Sequence, residues 1–474
     1  MSTSAQHNQG LGRGTVLALV AMGIAVFVVA NDFTALSVAI PDIESDLDTD
    51  LTTAQWVING YALVFGVLIV TGGRLADLFG RKRVFILGAA IFAVFSVLGG
   101  FAPNAGVLIA SRVVMGVGGA MMWPAILGMT YAILPEDKAG LGGGLILGTA
   151  GLGNAFGPML GGFLTDVASW RWVFFVNLPI AVFAMLVTAR QVKESVVDTS
   201  VRTIDYAGVA ILTGGVVSIL VALDEGTTRG FDDPLILGLF AVGAALLTGF
   251  FLVERRQGEG ALVPNDVLSN RVFAAACLAV LLMSAIFFSA LLYLPQFTTK
   301  ILGYSALRAG VALLPMMGVF AITSFIAGSL YARLGARLMV SLGAGILAIG
   351  MFLLSRVDPS STYAALVPGM VVLGIGVGLF YSSITTCAVT ALDPSRSSLA
   401  GGIVYMCQIA GGAVGLGLNT AIATSASNLA DGIGNAFLLD ALLALAGLVI
   451  VARFIDSTEH THKHHHFRWH RAHA

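Results

Sequence analysis

The sequence predicts an all-α integral membrane protein of fourteen spanning helices, and three observations predict it. Of the 474 residues, 57% are hydrophobic and 11% charged, with a mean hydropathy of +0.91. A soluble chain carries roughly 25% charged residues. Apolar windows of about 20 residues, the length that crosses a bilayer, recur fourteen times. With the N-terminus in the cytoplasm, 19 of the 25 Lys and Arg fall on the cytoplasmic side, 5 fall outside and Arg112 lies within a span. That asymmetry satisfies the positive-inside rule, and an odd number of spans would scramble it.

The first six windows are 15–40, 55–74, 84–101, 106–134, 140–168 and 171–190. Two more lie at 204–223 and 234–253, and the last six at 272–297, 307–332, 338–356, 362–392, 398–424 and 434–454. The longest polar interruptions, 190–204 and 254–271, bracket the middle pair. The chain divides into a cytoplasmic tail (1–14), a six-helix bundle (15–190), a linker with two extra helices (191–271), a second six-helix bundle (272–454) and a His-rich cytoplasmic tail (455–474). The tail reads as low-complexity chain. The N-terminal apolar segment is too long for a signal-peptide core. GGRLADLFGRK at 72–82 is echoed by AGSLYARLGAR at 327–337, a weak internal repeat of the kind transporter folds carry.

Composition excludes several classes. A net charge of −1 leaves no nucleic-acid footprint. Cys277, Cys387 and Cys407 fall in apolar segments and read as small core residues. No span contains histidine, and no nucleophile, acid pair or metal-ligand cluster marks an enzyme. No cofactor or metal is expected.

Asp32 is the only ionisable residue between Thr15 and Ile40. A carboxylate at mid-membrane costs about 2.5–3.5 kcal/mol on insertion scales, so it calls for a partner or a task. Arg112, in the fourth span and always charged, needs a partner as well. Asp440 lies near the outer end of the last span, where a secondary proton role is the lesser reading; no second acid is well placed in the last six helices, so proton coupling is expected to rest on Asp32 alone. Asp224 and Glu225 read as solvated loop residues.

The motifs carry a family resemblance. Gly73-Arg74-Leu75-Ala76-Asp77-Leu78-Phe79-Gly80-Arg81-Lys82 resembles the signature loop of the major facilitator superfamily. Gly80 permits a tight turn, and Asp77 can pair with Arg81 and cap a neighbouring helix. The segment 148–162, with Gly153, Gly157 and Gly161 every four residues and Pro158 among them, resembles the antiporter motif of efflux members. Residues 108–120, with Arg112, resemble the fourth-helix motif, although Met115 stands where the family often has Gln. Asn31–Pro41, Gln55-Trp56 with Tyr61, and Trp170–Pro179 resemble the fourteen-helix drug:proton antiporters of the EmrB/QacA type.

The resemblance implies the major facilitator fold and proton-coupled efflux of lipophilic drugs or toxic compounds by alternating access. It uses the proton gradient in place of a cofactor. An exporter of an endogenous metabolite or lipid is the alternative. It implies proton coupling by Asp32 and Arg112, and a conformational latch at Gly73, Asp77, Gly80 and Arg81. The expected pocket draws Trp56, Asn59, Tyr61, Met115 and Trp123 from the second and fourth helices. Phe288, Tyr293, Gln296, Tyr381 and Gln408 are expected from the second half. Some relatives that export divalent cations carry an extra acid in the tenth span. None is present here, so monovalent or neutral substrates are expected. The expected setting is the plasma or inner membrane, with both termini cytoplasmic and the chain a monomer.

Overall fold

The computed structural model describes residues 12–135, 138–194, 205–257 and 261–455, which form eighteen α-helices; no strand occurs among the described residues. The His-rich tail lies outside them. The N-terminal half comprises α1 (Arg13–Ala35), α2 (Ile40–Asp46), α3 (Leu51–Phe79), α4 (Arg81–Gly100), α5 (Ala105–Ile133), α6 (Ala139–Val167), α7 (Trp172–Phe175) and α8 (Asn177–Gln191). The middle pair is α9 (Tyr206–Arg229) and α10 (Pro234–Gln257), followed by the short α11 (Asn265–Ser269). The C-terminal half comprises α12 (Arg271–Lys300), α13 (Ala306–Ala312), α14 (Leu314–Leu334), α15 (Ala336–Leu354), α16 (Tyr363–Thr390), α17 (Ser397–Ser425) and α18 (Leu429–Phe454).

Polar residues start these helices where orphaned N–H groups need acceptors. Asp50 accepts from Thr53 N at 2.7 Å, Asn104 from Val107 N at 3.0 Å, and Asn270 from Phe273 N at 3.0 Å. Gly80 (φ +103°) and Gly335 (φ +77°) turn the chain between α3 and α4 and between α14 and α15. Both adopt a backbone that side-chain-bearing residues disfavour. The repeat seen in the sequence is therefore the same corner built twice.

Three windows read as single spans are interrupted shortly before a proline, which lacks an N–H to donate and crowds the preceding turn, whereas Pro124, Pro158, Pro295 and Pro368 lie inside continuous helices. The first window stops at Ala35, and α2 restarts at Ile40 with Pro41 in its first turn. The sixth divides at Val176, three residues before Pro179. The tenth divides at Leu313, two before Pro315. The last window starts earlier than expected, at Leu429. Thirteen helices are long and apolar enough to span a membrane. The 29-residue α6 falls short on hydropathy, because ten of its residues are glycine. Its length and its packing between α1, α14 and α16 make it the fourteenth crossing.

The halves meet along two seams. One joins α3 and α5 to α17, and the other joins α6 to α14 and α16. Glycine lets backbones touch there. A Cβ on Gly144 would lie 2.6 Å from the Ser324 carbonyl, and one on Gly402 2.7 Å from the Ile69 carbonyl. The pair α9–α10 packs against α3 and α17 along the first seam.

Candidate functional site

Asp32 and Arg112 form an ion pair with both side chains fully buried. Five helices hold it. Arg112 Nε donates to the Val57 carbonyl on α3 at 2.8 Å, and the guanidinium lies 4.3 Å from the centre of the Tyr61 ring. Asn177, at the start of α8, donates to Asp32 Oδ1 at 3.2 Å and to Ser96 Oγ on α4 at 3.1 Å. Ser96 Oγ donates in turn to the Phe174 carbonyl at 2.8 Å. Removing one partner of such a pair strands a buried charge, at a cost of about 3–5 kcal/mol. Asn177 and Ser96 were not singled out in the sequence. The signal was an amide in an otherwise apolar stretch, Val176-Asn177-Leu178, just where Pro179 breaks the span.

At the α3–α4 corner, Asp77 reaches across the seam. Its Oδ1 accepts from Arg81 Nε at 3.0 Å and from Ser398 N at 3.3 Å, and its Oδ2 accepts from Leu399 N at 2.8 Å. A carboxylate of the N-terminal half thus caps α17 of the C-terminal half. Arg81 donates to the Gly128 carbonyl at 3.0 Å and to the Pro394 carbonyl at 2.5 Å. A Cβ on Gly73 would lie 2.5 Å from the Ser398 carbonyl. Glu194 accepts from Lys82 N at 3.1 Å and from Arg83 N at 3.2 Å, a carboxylate at the start of α4. At the opposite end of the bundle, Asp46 accepts from Trp170 Nε1 at 3.1 Å and Arg171 Nη2 at 2.8 Å, which gives two motif residues an anchoring task.

Gly153, Gly157 and Gly161 all face α1. A Cβ on Gly153 would meet the Phe27 carbonyl, one on Gly157 Thr34 Oγ1, and one on Gly161 the Ala35 carbonyl. Pro158 faces the opposite half, beside Gly310.

Three cavities lie along the seams. One of about 430 Å³ is lined by Trp56, Asn59, Leu63, Leu223, Leu292 and Thr420. A second, of about 400 Å³, is lined by Thr34, Asn154, Pro158, Pro295, Gln296 and Met317. The third, also about 400 Å³, is almost wholly apolar, with Val216, Leu220, Phe250, Phe251, Phe273 and Met406 on its wall.

Of the expected pocket residues, Trp56, Asn59 and Gln296 line cavities. Tyr61, Met115, Trp123 and Tyr381 are buried packing residues in this conformation, and none is on the wall of the three cavities. Tyr61 lies under Arg112, Trp123 packs 4.4 Å from Tyr405, and Tyr381 pairs with Ser284 at 2.9 Å. Aromatic rings stack where bulk is needed at a bundle centre, and the sequence does not distinguish that use from a pocket wall. Tyr293 donates to Thr420 at 2.8 Å, Phe288 packs 5.8 Å from Phe287, and Gln408 is half-buried on α17.

The described helices thus form two bundles that touch through glycine backbone, with voids between them and a charged pair walled into one. Such an architecture defines a membrane carrier of small molecules. A family model for the Major Facilitator Superfamily matches residues 22–415 and 315–472, and the chain belongs to that family. It is 34% identical over 414 residues to the puromycin resistance protein pur8 of Streptomyces alboniger, covering 86% of this chain and 82% of that one. It is 28% identical to the tetracenomycin C resistance and export protein of Streptomyces glaucescens, covering 84% and 74%. The crystal structure of the human organic anion transporter MFSD10 superposes with a TM-score of 0.65 over 92% of this chain and 99% of that one; at 16% identity this shows the shared fold. The protein is a multi-pass membrane transporter, not an enzyme.

Proposed function

We propose that the protein exports lipophilic drugs or toxic compounds in exchange for protons, with Asp32 carrying the proton. The observation that supports this most is the buried Asp32–Arg112 pair, fixed by Val57, Tyr61 and Asn177 inside one rocking half. A membrane-embedded carboxylate whose solvent access changes as the halves rock can load a proton on one side and release it on the other. The relatives named for puromycin and tetracenomycin C resistance support the substrate class. The cytoplasmic seam is latched by Asp77 and Arg81, while Trp56, Asn59 and Gln296 line voids towards the outer ends of their helices. That arrangement fits an outward-facing carrier. The chain works as a monomer in the cell membrane, with both termini in the cytoplasm.

The test is transport of puromycin in proteoliposomes under an imposed pH gradient. Wild type sustains uphill export, and Asp32→Asn sustains a smaller limiting gradient. Uphill export by Asp32→Asn at the wild-type rate would remove Asp32 from its role. A second reading, export of a lipid or long-chain metabolite, is favoured by one observation: the apolar cavity beside α9 and α10, bounded by Phe250, Phe251 and Phe273.

A further inference from the structure

The second membrane-embedded acid, Asp440, has no cation beside it. It is fully buried. Because α18 begins at Leu429, Asp440 lies eleven residues in, about 16 Å along the axis at 1.5 Å per residue. That is near the middle of a hydrocarbon core roughly 30 Å thick, deeper than its place in the sequence window implied. Asn419 on α17 donates to Oδ1 at 2.9 Å, whereas Oδ2 has no partner within hydrogen-bonding distance. Ser289 on α12 adjoins the carboxyl, and Tyr293, one turn further along α12, lies within range of its charge.

The other titratable groups on the helices packed against α18 are engaged elsewhere. Cys277 faces Cys407, Tyr405 stacks on Trp123, and Lys300 bonds Gln296. Arg337 holds the Ala452 carbonyl, and Arg271 lies at the cytoplasmic start of α12. On α18 itself, Asp431 and Arg453 lie at the two ends. An ionised carboxylate so placed lacks both solvent and counter-ion, whereas a neutral acid is satisfied by the Asn419 amide and nearby hydroxyls. The acid also has a polar route outward: Tyr293 donates to Thr420 at 2.8 Å, and Thr420 is on the wall of the 430 Å³ cavity.

We propose that Asp440 is a second proton-binding site, a carboxylic acid that carries its proton inside the C-terminal half and exchanges it with the outer cavity by way of Tyr293 and Thr420. The transport role of this site rests on the proton-exchange reading above; the presence of the proton does not. The proton is sought by infrared spectroscopy of the reconstituted full-length protein at neutral pH. The carbonyl stretch of a protonated carboxyl is expected in wild type and lost in Asp440→Asn. An unchanged band overturns the proposal. If Asp440→Asn does not fold, Asn419→Ala serves instead: it removes the amide donor and shifts the band, and an unmoved band overturns the assignment.

Transport supplies the second readout. With the membrane potential collapsed and a pH difference of one unit, each exchanged proton sustains a tenfold substrate gradient. Asp440→Asn therefore lowers the limiting puromycin gradient tenfold. A merely structural role would slow the approach to the plateau without moving it, so a wild-type plateau in the variant overturns the exchange. If wild type sustains no gradient at all, the export reading falls, and the infrared band alone decides whether Asp440 holds a proton.

Discussion

Asp77→Ala removes the carboxylate that ties the two halves together at the α3–α4 corner. Two bonds cross the seam, from Ser398 N and Leu399 N at 3.3 and 2.8 Å. A hydrogen bond to a charged group contributes about 1.5–3 kcal/mol net, and a carboxylate at a helix N-terminus adds about 0.3–1 kcal/mol. The Arg81–Asp77 pair joins neighbouring residues of the same half, so it persists when the seam opens and drops out of the difference. Taking the lower figure for each bond, the closed state loses about 3 kcal/mol. At about 1.4 kcal/mol per tenfold, the ratio of closed to open seam at this end falls roughly a hundredfold. Spin labels at Leu141 on α6 and Leu334 on α14, both exposed near the same end of the other seam, report the opening by pulsed electron–electron resonance. Asp77→Asn keeps one carbonyl acceptor but no charge, so its distribution lies between wild type and Asp77→Ala. An unchanged distribution in Asp77→Ala, or wider opening in Asp77→Asn than in Asp77→Ala, refutes the reasoning.

Other perturbations follow from the same geometry. Gly157→Leu drives a side chain into Thr34 Oγ1 and parts α1 from α6, costing about 1–3 kcal/mol of stability by overpacking. Gly318→Ala, inside α14 with open space around it, should instead raise the melting temperature slightly and is the control. Asp393 caps the 3₁₀ turn whose Pro394 carbonyl holds Arg81, and its bonds with Ser395 hold its carboxyl below the ordinary value of 3.8. A depressed carboxyl stabilises the fold above its unfolded value and loses that effect as pH falls through its folded value. Melting curves of wild type and Asp393→Asn should therefore differ at neutral pH and converge as the pH falls through the folded-state value, which lies below 3.8. Because α14 contains no acid, a monovalent lipophilic cation should be exported faster than its divalent analogue, and equal rates in proteoliposomes would contradict this.

Charge placement and apolar length made the fourteen crossings legible in the sequence, because a bilayer imposes both on every span. Helix breaks were less legible. Pro179 and Pro315 lie inside long apolar windows, where composition alone does not say whether a proline kinks a helix or ends it. Asp32 and Arg112 stood out because isolated charges in apolar runs demand explanation. Asn177 and Asn419 did not, since an amide in a span is cheap enough to go unremarked, and only three-dimensional placement shows that each holds a carboxylate. The latch was half legible: Gly80, Asp77 and Arg81 sit together in one motif. Their partners at Pro394, Ser398 and Leu399 lie more than 300 residues away, and no local pattern joins them.

The buried pair changes how coupling has to work. In this conformation Asp32 is enclosed, so a substrate in the 430 Å³ cavity does not touch it. The two share α3 instead. Trp56 and Asn59 line the cavity, and Val57, between them, presents the carbonyl that holds Arg112 Nε at 2.8 Å. Tyr61, half a turn beyond Asn59, supplies the ring against the same guanidinium. Any ligand that packs against this turn of α3 firms the hold on Arg112, and a tighter Asp32–Arg112 pair is harder for a proton to break. Substrate and proton can therefore compete through one helical turn without occupying the same carboxylate. On this reasoning Trp56→Ala, which leaves every partner of Asp32 in place, should weaken puromycin binding and also reduce the proton release that accompanies it. Calorimetric titration in buffers of different ionisation enthalpy measures both, and proton release unchanged at saturating puromycin would break the link through α3.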